Sequence, residues 1–206
     1  MKQPYLFGDP YSHLSLISGL RYLPEFVSLE EEAEMLSQID ASEWITELKR
    51  RVQHYGYKYD YKRRSIDASM YVGALPEWSF LLRERFATQK IFPEPPDQLI
   101  VNEYIPGQGI FKHVDCVPCF LDTIVSVTLG SGCVMEFTKP KTKRKVECFL
   151  EPRSAVILTG ESRYDWQHGI PSRKSDQWNG DRLLRRRRVS LTFRRVSLDL
   201  KISRIG

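Results

Sequence analysis

Apolar positions recur along this chain with two periods, and the change between them divides it. Leu29, Ala33, Leu36 and Ile39 share a helical stripe. Ser28-Leu-Glu-Glu31 just before it fits a capping box, and Glu30, Glu31 and Glu32 suit the positive end of a helix dipole. A second helix is predicted from Pro76 to about Thr88, with Trp78, Leu81, Leu82 and Phe86 on one side. From Gln98 onward the chain reads as β. Strands are predicted at Leu99–Ile105, Ile124–Leu129, Cys133–Thr138, Lys145–Leu150, Ala155–Leu158 and Arg188–Val196. Pro106-Gly107, Gly130-Ser-Gly132, Lys139-Pro140 and Glu151-Pro152 supply turns. Short strands without interleaved helices point to a sandwich or barrel: a mainly β fold with flanking helices. The first 25 residues read as an arm packed on the body, and Ser172–Asp181 as a mobile polar loop.

Composition narrows the class. At 206 residues, 41% hydrophobic, the chain suits one domain with a buried core. No apolar run is long enough for a membrane span, and the N-terminus lacks the apolar core of a secretory signal. Four cysteines do not make a disulfide scaffold, so a reducing cytoplasm and a monomer are expected. Net charge is +5, and the basic residues cluster: Arg173 to Arg204 holds eleven basic and three acidic residues. Lys139–Lys145 is a second cluster. Such clusters suit a polyanion such as nucleic acid, although any one run also suits a solvated loop.

Candidate chemistry lies in the β half. His113-Val-Asp115 places an imidazole and a carboxylate on one face of an extended segment, and His168 follows a predicted strand. Two His and one carboxylate suit non-haem Fe(II), with three positions left for substrate and oxygen. Arg188 and Arg194 lie six residues apart on one strand face and could grip a dicarboxylate at both ends. Six strand residues span about 20 Å, so either the side chains lean together or one Arg has another partner. Asn102 and Tyr104 could add hydrogen bonds to the same acid.

Together, Asn102-x-Tyr104, His113-x-Asp115, His168 and Arg188-x5-Arg194 resemble the AlkB family of Fe(II)/2-oxoglutarate dioxygenases. Arg51-Val-Gln-His-Tyr-Gly-Tyr57 and Thr159-Gly-Glu-Ser-Arg-Tyr164 are most similar to the branch with the tRNA-wobble hydroxylase. The resemblance implies a single dioxygenase domain over residues 1–206. Residues 1–97 would form the arm, helices and nucleotide-recognition lid, and 98–206 a double-stranded β-helix (jelly-roll) core. It implies His113, Asp115 and His168 as iron ligands. Arg188 with Tyr104 would take the distal carboxylate of 2-oxoglutarate, and Arg194 with Asn102 the end near the metal. The implied cofactors are Fe(II), 2-oxoglutarate as co-substrate, and O2. The implied reaction is oxidative dealkylation of N-alkylated bases in DNA or RNA, with release of formaldehyde, succinate and CO2. A tRNA-modifying hydroxylase and a protein-side-chain oxygenase would use the same site. A nucleic-acid binder without catalysis is the remaining alternative.

Two motifs complete the reading. Tyr55, Tyr57, Tyr59 and Tyr61 alternate, which in a strand places all four on one face. As a lid, Tyr55, Tyr57 or Tyr59 would stack on a flipped base while Arg51 and its neighbours hold phosphates. A tyrosine-rich strand packed on the core fits equally well. Cys116-Val-Pro-Cys119 lacks a second pair for a zinc ribbon and is expected to stay reduced near the metal.

Overall fold

The computed structural model describes residues 10–46 and 49–198. A short 3-10 turn, Ser12–Leu16, leads into β1 (Leu20–Leu23), α1 (Leu29–Ala41), β2 (Val52–Tyr57), β3 (Tyr71–Gly73) and α2 (Phe80–Thr88). The β half follows: β4 (Gln98–Tyr104), β5 (Ile110–His113), β6 (Phe120–Gly130), β7 (Cys133–Lys139), β8 (Arg144–Leu150) and β9 (Ala155–Leu158). After α3 (Gly160–Tyr164) come β10 (Gln167–Ile170), β11 (Ser175–Trp178), β12 (Asp181–Leu184) and β13 (Arg188–Val196).

These strands form two facing sheets, the jelly roll that the family resemblance implies. Seven strands run in the order β1-β9-β6-β13-β4-β2-β3, and four in the order β5-β10-β7-β8. Antiparallel β13 sits between β4 and β6, with Ser190 opposite both Asn102 and Thr128. Period two then sorts its side chains. Val189, Leu191 and Phe193 enter an apolar layer with Leu99, Val101, Val125 and Val127, beneath Leu82 and Phe86 of α2 and Ile39 of α1. Arg188, Ser190, Thr192 and Arg194 point the other way, into the space between the sheets. Phe86 meets Phe193 edge-on at 5.1 Å, so α2 is anchored at the centre of the large sheet.

The capping box before α1 is formed: Ser28 Oγ accepts from Glu31 N at 3.1 Å, and Ser28 N donates to a Glu31 carboxylate oxygen at 2.8 Å. Its buried face differs from the predicted stripe. Glu32, Met35 and Ile39 turn inward while Leu29 is exposed. The helix is rotated because Glu32 has polar partners to reach: it accepts from Gly130 N at 2.7 Å and pairs with Arg153 at 3.4 Å. α2 begins at Phe80, after a 3-10 turn over Glu77–Ser79 that Pro76 opens.

Three other expectations are corrected. Within Ser172–Asp181 lies β11, which pairs with β12 as a hairpin, and buried Asp176 holds Arg185 at 2.6 Å and Arg173 at 2.7 Å. The arm contributes an edge strand, since β1 pairs with β9 along its length; residues 1–9 of that arm lie outside the described residues. Cys116 and Cys119 are joined as a disulfide. A turn between two strands, closed by Cys119 N donating to the Cys116 carbonyl at 3.1 Å, brings their side chains within bonding reach, which the linear spacing alone does not reveal. Among the described residues no helix is long and apolar enough to cross a membrane.

Candidate active site

The two predicted imidazoles meet because β5 and β10 pair. His113 stands directly opposite His168, with ring centroids 4.6 Å apart. Asp115 lies just past the end of β5 and folds back between them, its Oδ2 3.4 Å from His168 Nε2. One donor atom from each of the three residues lies within 4.8 Å of the others. The Phe111 carbonyl is 2.8 Å from His113 Nδ1 and can only accept, so that nitrogen carries the proton and Nε2 keeps its lone pair. Burial pushes the His168 imidazole down to about 4, keeping it neutral and able to ligate. Burial alone would raise the Asp115 carboxyl. Arg194, with the nearby imidazoles and Arg163, outweighs it and holds the group well below the usual carboxylate range.

Arg163 steadies this acid from behind. It is fully buried and donates to the backbone carbonyls of Asp115 at 2.9 Å and Cys116 at 3.3 Å. It reaches them from α3, which Thr159 caps.

The two strand arginines mark opposite ends of one cavity of about 370 Å³. Arg194 Nη2 lies 2.6 Å from Asp115 Oδ1, while Arg188 Nη2 donates to Thr128 Oγ1 at 2.8 Å. The 20 Å span is met in one of the two expected ways: Arg194 has a partner of its own in Asp115. Tyr104 is buried between two guanidiniums, Arg50 at 5.7 Å and Arg188 at 5.5 Å from its ring. Asn102 accepts from Arg50 Nε at 2.8 Å. Ser126 and Ser190 pair at 2.9 Å on the floor between them. The Nε–H groups of Arg188 and Arg194 are buried with no acceptor. Orphaned donors at both ends of a cavity beside two imidazoles and an acid fit a dicarboxylate next to a divalent ion.

The tyrosine segment does not behave as one face. Gly56 sits at φ +78°, and a Cβ there would fall 1.8 Å from the Asp97 carbonyl oxygen, so the strand bulges at a glycine. Before the bulge, Tyr55 faces the helical layer, donating to Gln53 Oε1 at 3.1 Å and meeting Trp78 edge-on. After it, Tyr57 packs on Tyr71. Tyr59 and Tyr61, beyond the strand, line the cavity. Arg51 also leaves the site: it forms a forked pair with Glu103 at 2.6 and 2.7 Å and covers Trp44. Tyr55, Tyr57 and Arg51 therefore stand apart from the cavity, and Tyr59 alone of the predicted substrate residues lines it. Tyr61, from the same alternating set, and Arg50 and Arg64, expected at phosphates, also line the cavity, while Phe111, Ser126 and Ser190 escaped the sequence reading. The even-numbered polar residues of β6 and β13 were the available signal for the two floor positions.

The sequence matches the family described as the 2OG-Fe(II) oxygenase superfamily over residues 19–194. The chain belongs to that family. It is a dioxygenase of the AlkB type that uses Fe(II), 2-oxoglutarate and O2, and the His113–Asp115–His168 cluster fits the iron. The alkylated DNA repair protein ALKBH8 homolog of Arabidopsis thaliana is 38% identical, over 87% of this chain and 59% of its own length. The tRNA (carboxymethyluridine(34)-5-O)-methyltransferase ALKBH8 of Mus musculus is 37% identical, over 88% of this chain and 31% of its own. The chain thus spans 59% of the first and 31% of the second of these two relatives. Among solved structures, that of OsALKBH1 superposes with a TM-score of 0.64 at 20% identity, covering 86% of this chain and 96% of that one, a likeness of fold.

Proposed function

We propose that this oxygenase oxidises a substituent on a nucleobase in nucleic acid, and that its preferred base is neutral or acidic and lies in an unpaired region of tRNA. One observation carries the reading: the cavity is lined by Arg50, Arg64, Arg188 and Arg194 against a single carboxylate, Asp115. The two charges of the ion offset the two of 2-oxoglutarate, so the lining remains positive with both bound. A base made cationic by alkylation, such as N1-methyladenine, is repelled there, and an acidic or neutral substituent is not.

When bound, iron and 2-oxoglutarate supply an oxidant that places one oxygen atom of O2 in the substrate and the other in succinate, with loss of CO2. His113, Asp115 and His168 hold the ion on one side. Arg188, with Tyr104 beside it, takes the distal carboxylate of the co-substrate. Arg194 and Asn102 serve the end near the metal, and Arg163 keeps Asp115 in place. Tyr59 and Tyr61 wall the entrance, where an unstacked base can lie against an aromatic face.

The name of the mouse relative, a tRNA carboxymethyluridine enzyme, supports this reading; the name of the Arabidopsis relative, an alkylated-DNA repair protein, supports oxidative dealkylation. The two products differ. Hydroxylation of a carbon-borne substituent leaves a stable alcohol, while hydroxylation next to nitrogen collapses and releases an aldehyde. Incubation with tRNA, followed by nucleoside mass spectrometry and formaldehyde measurement, is expected to give a hydroxylated nucleoside without formaldehyde. Formaldehyde with loss of an N-alkyl base would move the assignment to dealkylation. Faster turnover on N1-methyladenine oligonucleotides than on any neutral modified base would end the charge argument.

A further inference from the structure

Phe111 is the most exposed of the large apolar side chains among the described residues, at 95%. Bared on a strand, the ring offers a flat face on which a planar group can stack. Its place is specific. Phe111 is on β5, two residues before His113, and its carbonyl holds the His113 ring. Its backbone is held close to β10: a Cβ on Gly109, at the start of this segment, would fall 2.2 Å from the Ile170 carbonyl oxygen.

The ring stands on a ridge. On one side is the metal cavity; on the other is an open groove of about 870 Å³, lined by Lys49, Arg50, Lys112, Glu136 and the glycine turn after β4. Lys112 is neutralised by Glu136 at 2.9 Å. Arg50 borders both spaces but gives its Nε–H to Asn102, so Lys49 remains as the cation of the groove, and Gln108 ties its segment to the turn by donating to the Lys49 carbonyl at 2.7 Å. An exposed aromatic face beside a free cation is the arrangement that binds single-stranded nucleic acid.

We infer that Phe111 is the stacking platform for the nucleotide adjacent to the target base, with Lys49 taking the phosphate that links the two nucleotides. The inference rests on the nucleic-acid reading and deepens it. A base drawn toward the metal abandons its neighbour, which loses a stacking face. Phe111, held rigidly beside a metal ligand, replaces that face at the cavity mouth. The track thereby selects unpaired strands, since a neighbour still paired in a duplex cannot tilt onto the ring.

The test uses the Fe(II)- and 2-oxoglutarate-loaded protein without oxygen and a single-stranded RNA oligonucleotide carrying 2-aminopurine and an end label. Anisotropy of the label measures binding, and 2-aminopurine emission reports stacking. Phe111→Ala is expected to weaken binding roughly tenfold and to abolish the quench. Phe111→Trp should restore both. Lys49→Ala should lower the salt dependence by about one ion without changing the quench. Leu184→Ala removes another exposed apolar side chain, 71% exposed on β12, and is expected to change nothing. Because Phe111 is exposed, the thermal midpoint should hold in the alanine variant. Salt-dependent binding by wild type that Phe111→Ala leaves unaltered overturns the platform and spares the nucleic-acid reading. No binding to RNA at low salt overturns both.

Discussion

β13 runs nine residues with Val189, Leu191 and Phe193 under the helices and Arg188, Ser190, Thr192 and Arg194 in the cavity; β2 sustains such a division only as far as Tyr55. Both segments alternate in sequence. β13 is central, paired on each side with β4 and β6, so a slip of one residue would bury two arginines in the apolar layer. β2 lies near the sheet edge and carries Gly56, where the backbone can turn to positive φ and close against Asp97. Alternation is therefore a reliable guide to a side chain's direction where two neighbours enforce the register. One permissive residue at an edge is enough to break it.

The largest effect should come from the residues that the paired strands β5 and β10 bring together. His113→Ala or Asp115→Ala is expected to lower succinate formation by more than about a hundredfold, with little change in the circular dichroism of the sheets. Full activity in either variant would show that pairing does not assemble the ligand set. Removal of iron with a chelator should match the loss, and added Fe(II) should reverse it in the wild type only.

Next comes the far end of the same strand. Arg188→Gln keeps a donor near Thr128 but removes the charge, and is expected to raise KM for 2-oxoglutarate by roughly 10- to 100-fold. The same substitution should alter KM for the nucleic acid far less. An equal rise in both would mean that the deep end does not hold the co-substrate.

The edge strand should fail through stability instead. Gly56→Ala places a Cβ against the Asp97 carbonyl in a left-handed backbone conformation. A cost of about 2 kcal/mol lowers the melting temperature by roughly 4–8 °C. An unchanged melting temperature would mean that the bulge relaxes freely.

Smaller effects separate the tyrosines on either side of that glycine. Tyr59→Ala is expected to raise KM for nucleic acid by roughly tenfold. Tyr55→Phe, which loses only the bond to Gln53, should leave KM unchanged and cost about 1 kcal/mol of stability. Reversed results would restore the tyrosine face that the bulge disperses.

The smallest effect concerns His54 on β2. Burial, followed by the charges of Lys58, Arg194 and Arg50, pushes its imidazole from 6.5 down to about 4. A group with a depressed folded value favours its neutral form in the fold. Its contribution is complete above pH 6.5 and is lost as pH falls toward 4. Chemical denaturation of wild type should therefore weaken across that window, and His54→Phe should weaken less.

Much of the site was legible before folding because its residues lie on strands with undisturbed alternation. Arg188 and Arg194 share parity with each other, as Asn102 does with Tyr104, and all four line the cavity. The arginine cluster after the hairpin was less legible. Arg185 and Arg187 belong to the basic cluster that suits a polyanion, but Asp176 takes the first, and Glu103 and Asp40 the second. Nothing in the local sequence announces an acid nine or more residues away. Phe111 was missed for a similar reason: it matters through a cavity wall built from other strands.

Residue order alone determined the extents of β4, β7, β8 and β13 to within a residue, the capped start of α1 and the chemical identity of the donor set, while β6 begins four residues before its expected start. Each depends on neighbours within a few positions, where dihedral preference and side-chain parity act. Tertiary structure decided which arginines stayed free, which tyrosines reached the cavity, and how Phe111 came to stand bare beside a metal ligand. Those outcomes depend on pairing across tens of residues, where burial and charge compensation choose among side chains that look alike in sequence.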